Sequence, residues 1–433
     1  MENRKNISIW NNTVSRIIEL KDRDFEKGIF LISFLIRVIV VFIIGNYTHP
    51  MIWENGTIAD NIVAGKGYVI GFLGPEGYTS WQAPFYPYFL SLFYITFGKN
   101  AITFFLIEIV QSIATSLVPI FIYKSAKILF DKKVALVSSI LLVPFPLLLW
   151  YSTRIHHTAF VFLAISTIFF LFLDSEMNGR FLDYAITGVF LGLSLLIEPV
   201  IIIFFFAFII WRCLKYPVIE SLKKYLITGL LALIVITPWT IRNYNVHGKL
   251  IFIKSSFGKE FWMGNNPHTT GTGFVEGGGD EITISFPPLC FDDLKNHTEI
   301  ERSQMLLHES MTWIKENPGD FVRLTLKKAF YFLWYPPTDI VRHQEGGESV
   351  KYEFLKKTYW VIFSVFLIYG IFLAWRERNH YIWIILLICL FYISVYSFTH
   401  VGQQRFRGVI EPVLIIYASY GLITIAKKLR LLL

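Results

Sequence analysis

Two acidic residues in the first long polar segment could perform proton transfer, because a positioned carboxylate can remove the proton of an attacking hydroxyl group. Glu54 and Asp60 lie in residues 53–64, where the apolar side chains fall roughly on one helical face and two glycines, Gly65 and Gly67, follow. The pattern predicts a short amphipathic helix with Glu54 in its first turn. An acid at that place also complements the helix dipole, so both roles remain open.

Two arginines near the C-terminus, Arg405 and Arg407, could bind an anion. A planar guanidinium group contacts two phosphate oxygens at once, which a lysine cannot do. Both arginines lie in a short loop between apolar blocks, on the side of the membrane where basic residues are otherwise scarce. Their compensating anion is either a lipid headgroup at the membrane surface or the phosphate of a specifically bound lipid.

Four further residues are candidates for the site. The segment YSTRIHHT supplies Arg154, His156 and His157, and Glu108 lies inside an apolar block. Adjacent histidines would point to different sides of a helix and rarely share a metal ion, so plain polar loop residues are the alternative. A carboxylate inside a membrane span is costly and is a functional candidate by default, although a hydrogen bond to a neighbouring helix would also satisfy it.

The composition excludes an ordinary soluble enzyme. Of the 433 residues, 54% are hydrophobic and 17% are charged, whereas soluble proteins average roughly 45–50% apolar and 25% charged residues. The net charge of +8 would suggest nucleic acid in a soluble chain. Cytoplasmic loops of a membrane protein explain the same charge, so membrane lipid and not nucleic acid is the expected partner. No loop of the form G-x-x-x-x-G-K-[ST] occurs, which argues against a nucleotide-driven activity.

Ten apolar blocks are long enough, or nearly so, to cross a bilayer, which takes about 20 residues of helix. They lie at residues 29–45, 102–123, 134–150, 158–173, 182–197, 200–211, 225–239, 358–375, 381–397 and 409–426. Two shorter apolar stretches, 84–97 and 330–334, are expected along the membrane surface. The predicted fold class is an all-α polytopic membrane protein, a helical bundle of about ten spans with two outer-face segments.

The distribution of basic residues predicts the orientation. With a cytoplasmic N-terminus, twenty lysines and arginines fall in inside segments and five in short outside loops, so both termini are predicted to be cytoplasmic. The chain then divides into a cytoplasmic N-terminal segment (1–28), a transmembrane core (29–239) with a first outer loop (46–101), an outer-face segment (240–357) and C-terminal spans (358–433). The chemistry is therefore expected on the outer face of the cytoplasmic membrane.

Three segments resemble the motifs of bacterial GT-C fold glycosyltransferases. EN, followed by IADNIVAGKGY and WQAPFYPYFLSLFYITFG, resembles the first outer loop of these enzymes. TPWTIRNYNVHGKLIFIKSSFGKEFWMGNNP resembles the motifs PW-[ST]-x-RN-[YW] and L-x-x-GN-x-P of one branch, and RFRGVIEP resembles its RYR-x-P-x-x-P. That branch is related to the protein O-mannosyltransferases and the aminoarabinose transferases (glycosyltransferase family 39-like). The resemblance covers the chain from about Arg37 to Pro412.

The resemblance implies a helical GT-C bundle that moves a hexose or pentose from a polyprenyl-phosphate carrier to an outer-face glycan, lipid or protein acceptor, as in cell-envelope lipopolysaccharide or protein glycosylation. The first-loop acid of the family, which serves as base or metal partner, matches Glu54. Arg242 and Asn243 carry over from the PW-x-x-RN motif and Arg405 and Arg407 from the last motif, as residues that bind the donor phosphate. A divalent metal is left open as a cofactor.

The chain also departs from the family in two places. Many relatives place an acid in the loop that here contains His156 and His157, and Glu198 precedes Pro199 where relatives commonly have an arginine. A lipid or lipid-linked-sugar flippase is the alternative from another class, although the chain shows no internal repeat and has a long outer segment. A catalytically inactive envelope protein of the same fold is the third possibility.

Overall fold

The computed structural model describes residues 21–71, 74–273, 294–335 and 350–429, and within these ranges the chain is almost entirely helical. The helices are α1 (Asp22–Ile44), α2 (Glu54–Val63), α3 (Phe85–Phe97), α4 (Ala101–Leu129), α5 (Lys132–Leu141), α6 (Pro146–Ser152), α7 (Thr158–Asn178), α8 (Phe181–Leu195), α9 (Ile202–Lys215), α10 (Val218–His247), α11 (Phe257–Gly264), α12 (Glu299–Glu316), α13 (Pro318–Leu333), α14 (Val350–Arg376), α15 (Ile382–Thr399), α16 (Gln404–Gly408) and α17 (Glu411–Lys428). One antiparallel hairpin pairs β1 (Val69–Ile70) with β2 (Gly77–Tyr78). Most of the predicted segment 1–28 lies outside the described residues.

Each of the ten predicted apolar blocks is helical, but the predicted count of ten spans is not confirmed. Among the described residues, six helices are long and apolar enough to cross a membrane, namely α1, α4, α7, α10, α14 and α15, and the bent pair α5 and α6 would make a seventh. Helix α8 has 15 residues and α9 has 14. At about 1.5 Å per residue such helices fall short of the roughly 30 Å hydrocarbon core.

A buried arginine satisfies the backbone at the break between α5 and α6. The two helices meet at a 49° bend, where Pro144 and Pro146 supply no backbone N–H and therefore free carbonyl groups. Arg37 of α1 is fully buried and donates to the carbonyl oxygens of Leu142 and Val143, each at 3.4 Å. An irregular backbone inside a membrane requires such partners, so Arg37 has a structural role.

Small residues allow two helix pairs to approach closely. A Cβ atom on Gly188 or Gly192 of α8 would lie 2.6 Å from an atom of α10. A Cβ atom on Gly370 of α14 would lie 1.9 Å from the Tyr417 carbonyl oxygen of α17. Without side chains at these positions the backbones pack directly against each other, as small residues permit in membrane helices.

The two long polar segments meet at one end of the bundle. The Ser255 N–H donates to the Ser80 carbonyl oxygen at 2.9 Å, and the Ser80 N–H donates to Glu299 Oε1 at 2.9 Å. The described parts of the first outer loop and of the segment after α10 therefore pack together, and they form the outer end of the bundle in the predicted topology. At the opposite end, Lys127 and Lys132 form ion pairs with Asp22, at the start of α1.

Local helix predictions for the outer end are confirmed. The predicted amphipathic helix at 53–64 is α2, and the aromatic stretch at 84–97 is α3. In addition, Thr298 and Glu301 form a capping box at the start of α12, which ends just before Asn317. These elements depend on periodicity and capping within a few residues, which is the information that a sequence carries most directly.

Candidate active site

A group of ionisable side chains at the outer end comes from segments that are far apart in sequence. This outer cluster consists of His156 and His157 between α6 and α7, Glu198 after α8, Lys254 after α10, Glu260 in α11, His400 after α15 and Arg405 in α16. The charges of these groups act on one another's pKa values, which places them in one neighbourhood. Perturbed ionisable groups gathered at one place are typical of a functional site.

Glu198 is the centre of the outer cluster. Its Oε2 atom lies 3.3 Å from His157 Nε2 and 4.0 Å from Lys254 Nζ, and these three side chains are 19–23% exposed. Burial raises the pKa of Glu198, but Lys254 and His157 lower it, and the net pKa of about 2 keeps the carboxylate ionised at neutral pH. An ionised carboxylate is thus held among cationic and polar groups where solvent still reaches it.

The two adjacent histidines stack instead of diverging. Their ring centroids are 4.4 Å apart, because residues 153–157 form a turn and not the helix on which neighbours would point to different sides. His156 Nδ1 accepts a hydrogen bond from the Thr158 N–H at 3.2 Å. Burial, followed by the charges of His157, Arg405 and Lys254, lowers the pKa of His156 well below its usual value, so the ring is neutral.

Arg405 presents an uncommitted guanidinium group to the outer cluster. The side chain is exposed and lies over the Phe406 ring, with 4.9 Å from Cζ to the ring centroid. Within the described part of the chain it makes no hydrogen bond or ion pair. Its charge nevertheless lowers the pKa of Glu260, in which burial acts in the opposite direction and is the largest influence. The donors of Arg405 are therefore available to an external anion.

Arg407, two residues further on, is committed to the protein interior. Its side chain is 3% exposed, and Nε donates to Glu411 Oε1 at 2.9 Å. Its Nη1 atom donates to the carbonyl oxygens of Phe332 and Leu333 at the end of α13, and the guanidinium lies 3.3 Å from the ring centroid of Trp360. These contacts join α13, α14 and α17, so the structure does not bring Arg407 to the same surface as Arg405.

Arg242 belongs to a second polar group, which joins α10 to the first outer loop. This hub consists of Thr79, Ser80, Arg242, Asn243, His247, Ser255 and Glu299. Arg242 Nη1 donates to the Thr79 carbonyl oxygen at 2.5 Å, and Nη2 donates to the Tyr68 carbonyl oxygen at 3.3 Å. Its guanidinium also lies over the Trp239 ring, 4.8 Å from the centroid.

Asn243 is fully buried inside the hub. Its Oδ1 atom accepts from the Ser80 hydroxyl group at 2.7 Å, and its Nδ2 group donates to the carbonyl oxygens of Ile251 and Ile253 at 3.1 and 3.3 Å. The PW-x-x-RN motif thus fixes the chain reversal after α10 against residues 79–80. Both motif residues use their polar atoms within the protein, unlike Arg405.

The two candidate bases on α2 have different environments. Asp60 Oδ2 lies 2.6 Å from Lys99 Nζ, and both side chains are about 40% exposed (42% and 41%). Glu54 is half-buried in the first turn of α2, and in the described ranges its carboxylate has no hydrogen bond or ion pair. Ile52, just before α2, packs in the same hydrophobic cluster as Ile155 and Ile197, which directly precede His156 and Glu198.

Glu108 and Arg154 are bridged by an asparagine. Asn46 Nδ2 donates to Glu108 Oε1 at 3.2 Å, and Arg154 Nη1 donates to Asn46 Oδ1 at 3.1 Å. Gln111 of α4 donates to the Arg154 carbonyl oxygen at 2.6 Å. This network holds the histidine loop against α4 and the first outer loop, which is a positioning role for Glu108 and Arg154.

Sequence reasoning did not identify four members of the outer cluster as site residues: Glu198, Lys254, Glu260 and His400. One feature of the sequence could have identified Glu198, which stands where relatives commonly have an arginine. A change from a positive to a negative side chain requires a new partner, and Lys254 is that partner. A metal site is not formed by these groups, since in the described residues no three His, Cys, Asp or Glu side chains are placed to hold a metal ion.

The sequence is similar to one known family. Residues 81–241 match the model of the dolichyl-phosphate-mannose-protein mannosyltransferase family. This match includes α3 to α9 and most of α10, and it ends one residue before Arg242. Among curated proteins, none is significantly similar to this chain in sequence.

Solved structures are similar in fold. The oligosaccharyltransferase of Archaeoglobus fulgidus in the apo form superposes with a TM-score of 0.55 at 15% identity, covering 94% of this chain and 51% of that protein. The same enzyme tethered to an acceptor peptide gives a TM-score of 0.52 at 14% identity, covering 94% and 50%. ArnT of Cupriavidus metallidurans bound to undecaprenyl phosphate gives 0.43 at 11% identity, covering 92% and 78%.

The chain therefore spans about half the length of the archaeal oligosaccharyltransferase that it matches, 51% of that protein. The resemblance predicted from the motifs is confirmed: the chain is a multi-pass membrane protein of the GT-C fold, with a region similar to the protein mannosyltransferases.

Proposed function

We propose that this protein is a glycosyltransferase that moves a sugar from a polyprenyl-phosphate carrier to an acceptor on the outer face of the cytoplasmic membrane. The observation that carries the proposal is the uncommitted guanidinium of Arg405, which faces the outer cluster in a GT-C fold. The matching family is named for a lipid-phosphate-linked mannose, which is a donor of this chemical class.

Arg405 binds the phosphate of the carrier lipid. The phosphate of such a lipid lies at headgroup level, where the outer end of the bundle meets the membrane surface in the predicted topology. An arginine can contact two phosphate oxygens at once and stays charged when it is partly desolvated. Arg407, Arg242 and Asn243 stabilise the fold through their contacts to backbone carbonyl groups and do not contact the phosphate.

Glu54 is the base. The acceptor hydroxyl oxygen attacks C1 of the sugar, and its proton passes to the Glu54 carboxylate. The bond between C1 and the phosphate oxygen breaks, and its electron pair stays on the phosphate, whose growing charge Arg405 neutralises. Glu54 suits this role better than Asp60, because the Asp60 carboxylate is already paired with Lys99.

The acceptor is an outer-face glycan, lipid or protein. Helix α11, which carries Glu260 of the cluster, contacts α12 through Gly258 and Ser303 and α13 through Gly264 and Lys328. The acceptor approaches the cluster from the side of these three helices. The proposed base requires only that the acceptor carry a hydroxyl group, because a carboxylate can accept the proton of any hydroxyl group placed beside it.

The test is release of free polyprenyl phosphate from a radiolabelled polyprenyl-phosphate hexose by the purified protein, with an extract of envelope glycans and lipids as acceptor. We expect release with the parent protein and release that is roughly 10²–10⁴-fold slower with Glu54→Gln. Translocation of the intact lipid across vesicles without release would identify a flippase. Tight binding of the lipid with neither release nor translocation would identify an inactive protein of this fold.

A further inference from the structure

The part of the outer cluster around Glu198 has hydrogen-bonding groups that the proposed reaction does not use. We infer that Glu198, His157 and Lys254 form the subsite for the donor sugar ring, and that this subsite selects an uncharged sugar with neighbouring free hydroxyl groups. The inference rests on the proposed function, because the sugar must be attached to the phosphate that Arg405 binds.

The unused donors and acceptors lie side by side. The nearest contacts of His157 and Lys254 to Glu198 are made to Oε2, and in the described part of the protein Oε1 accepts no hydrogen bond. Lys254 Nζ is 4.0 Å from that carboxylate, beyond hydrogen-bond distance, and its ammonium group has no donor engaged among the described residues. A carboxylate oxygen beside an ammonium group can bind two adjacent hydroxyl groups, one as donor and one as acceptor.

An aromatic pair fixes the position of α16 beside His400. Tyr396 is buried, and its ring stacks on Phe406 with 4.1 Å between ring centroids and an interplanar angle of 16°. His400 lies 5.2 Å from the Tyr396 ring, and Phe406 is next to Arg405 in α16. These contacts hold Arg405 in place, so the phosphate ligand and the sugar ligands keep a fixed spacing.

The balance of charge favours a neutral sugar. Glu260 lies 3.4 Å from Lys259, and Glu198 is compensated by Lys254. With Arg405 occupied by the phosphate, these charges cancel in pairs. A carboxylate on the sugar would approach the ionised Glu198 and be repelled, which is discrimination by an unfavourable contact.

The sugar is one bond from the phosphate, so its subsite must adjoin Arg405. The Arg405 guanidinium lies over the Phe406 ring, and the ring centroids of Phe406 and His400 are 6.2 Å apart. Arg405 and Lys254 also both lower the pKa of His156, although burial is the largest influence on that pKa. His157, which stacks on His156, contacts Glu198. The residues named here therefore form a continuous path from the phosphate ligand to the sugar subsite.

The experiment compares the affinities of three probes: polyprenyl phosphate, polyprenyl phosphate mannose and polyprenyl phosphate glucuronic acid. The proteins are the parent, Glu198→Gln, Lys254→Met and the matched control Glu76→Gln, which changes an exposed glutamate paired with Lys66. We expect the parent and the control to bind the mannose lipid more tightly than polyprenyl phosphate, and the glucuronic acid lipid less tightly than the mannose lipid.

In Glu198→Gln and Lys254→Met, the affinity for the mannose lipid should fall by roughly ten- to a hundredfold, because a hydrogen bond to a charged group is lost. The affinity for polyprenyl phosphate should stay at the parental value. An unchanged ratio of the two affinities, or an equal loss for both lipids, would overturn the subsite. Failure of the parent to bind polyprenyl phosphate at all would instead overturn the proposed function.

Discussion

The hub and the outer cluster are both polar, both lie at the outer end and both contain residues from the family motifs, yet they differ in how their polar atoms are used. In the hub, Arg242 and Asn243 donate to backbone carbonyl groups, and Asn243 Oδ1 also accepts from the Ser80 hydroxyl group. In the outer cluster, Arg405 and Lys254 have no hydrogen-bond partner among the described residues. A motif residue can therefore serve folding alone, and polar atoms that have no partner within the protein indicate a binding site better than membership of a motif does.

The largest expected effect concerns the two acids of α2. Glu54→Gln should lower the rate of sugar transfer by roughly 10²–10⁴-fold, because a general base is lost. Asp60→Asn, the matched control on the same helix, breaks only an exposed ion pair with Lys99 and should leave the rate nearly unchanged. Initial rates of polyprenyl phosphate release from a labelled donor measure both variants. A slow Asp60→Asn together with a normal Glu54→Gln would show that Asp60 is the base. It would also show that an acid with an ion-pair partner can carry the chemistry.

Substitution of the two arginines of α16 should change the stability of the protein by very different amounts. Arg407→Ala leaves Glu411 as a buried charge without its partner and should lower the free energy of unfolding by roughly 3–5 kcal/mol. Arg405→Ala removes an exposed side chain and should change stability by less than about 0.5 kcal/mol. Thermal unfolding of both variants in detergent compares them. Equal destabilisation by the two substitutions would contradict the separation of their roles.

Asn243→Ala tests the hub itself. The substitution removes the partner of the Ser80 hydroxyl group and of two buried carbonyl groups, so it should cost roughly 1–3 kcal/mol of stability. The folded fraction should still bind polyprenyl phosphate with parental affinity, because no hub atom contacts the phosphate. If the variant is stable but no longer binds polyprenyl phosphate, Asn243 and its neighbour Arg242 belong to the donor site.

A smaller effect should appear as a dependence of stability on pH. Lys328 of α13 is fully buried, and burial lowers its pKa to about 7. It donates to the Gly264 carbonyl oxygen at 3.0 Å and to Asn265 Oδ1 at 2.9 Å, below the outer cluster. Between this pKa and the ordinary lysine value, the unfolded chain binds more protons than the folded one, so stability rises with pH in that window.

Lys328→Met should remove this part of the pH dependence. The midpoint of thermal unfolding, measured at about pH 7 and about pH 10, should rise with pH more in the parent than in the variant. The variant will also lose the two hydrogen bonds of Lys328, which lowers its stability at both pH values but not the difference between them. An identical rise in both proteins would mean that Lys328 is not buried as a neutral amine.

Much of the fold could be predicted from the sequence, because helices depend on local information. The apolar blocks, the amphipathic helix α2 and the capping box of α12 each follow from patterns within a few residues. The number of spans could not be predicted in the same way. It depends on where helices break, and the break between α5 and α6 is stabilised by Arg37, more than a hundred residues earlier in the chain.

The site was only partly predictable. Arg405 and Arg407 look equivalent in RFRG, but residues two apart on a helix point about 200° from each other, and only the packing of α16 decides which one faces inward. Glu198, Lys254 and His400 come together from three distant segments. Their proximity is a property of the bundle and has no local signature in the sequence.

Donor recognition depends on the uncommitted Arg405, which binds the phosphate of a polyprenyl-phosphate donor. The decisive measurement is the equilibrium affinity for polyprenyl phosphate of the parent, of Arg405→Ala and of the control Arg323→Ala, which removes an exposed arginine of α13. If Arg405 binds the phosphate, Arg405→Ala should bind roughly ten- to a hundredfold more weakly than the parent, and Arg323→Ala should bind with parental affinity. Parental affinity in Arg405→Ala would show that the phosphate binds at another site.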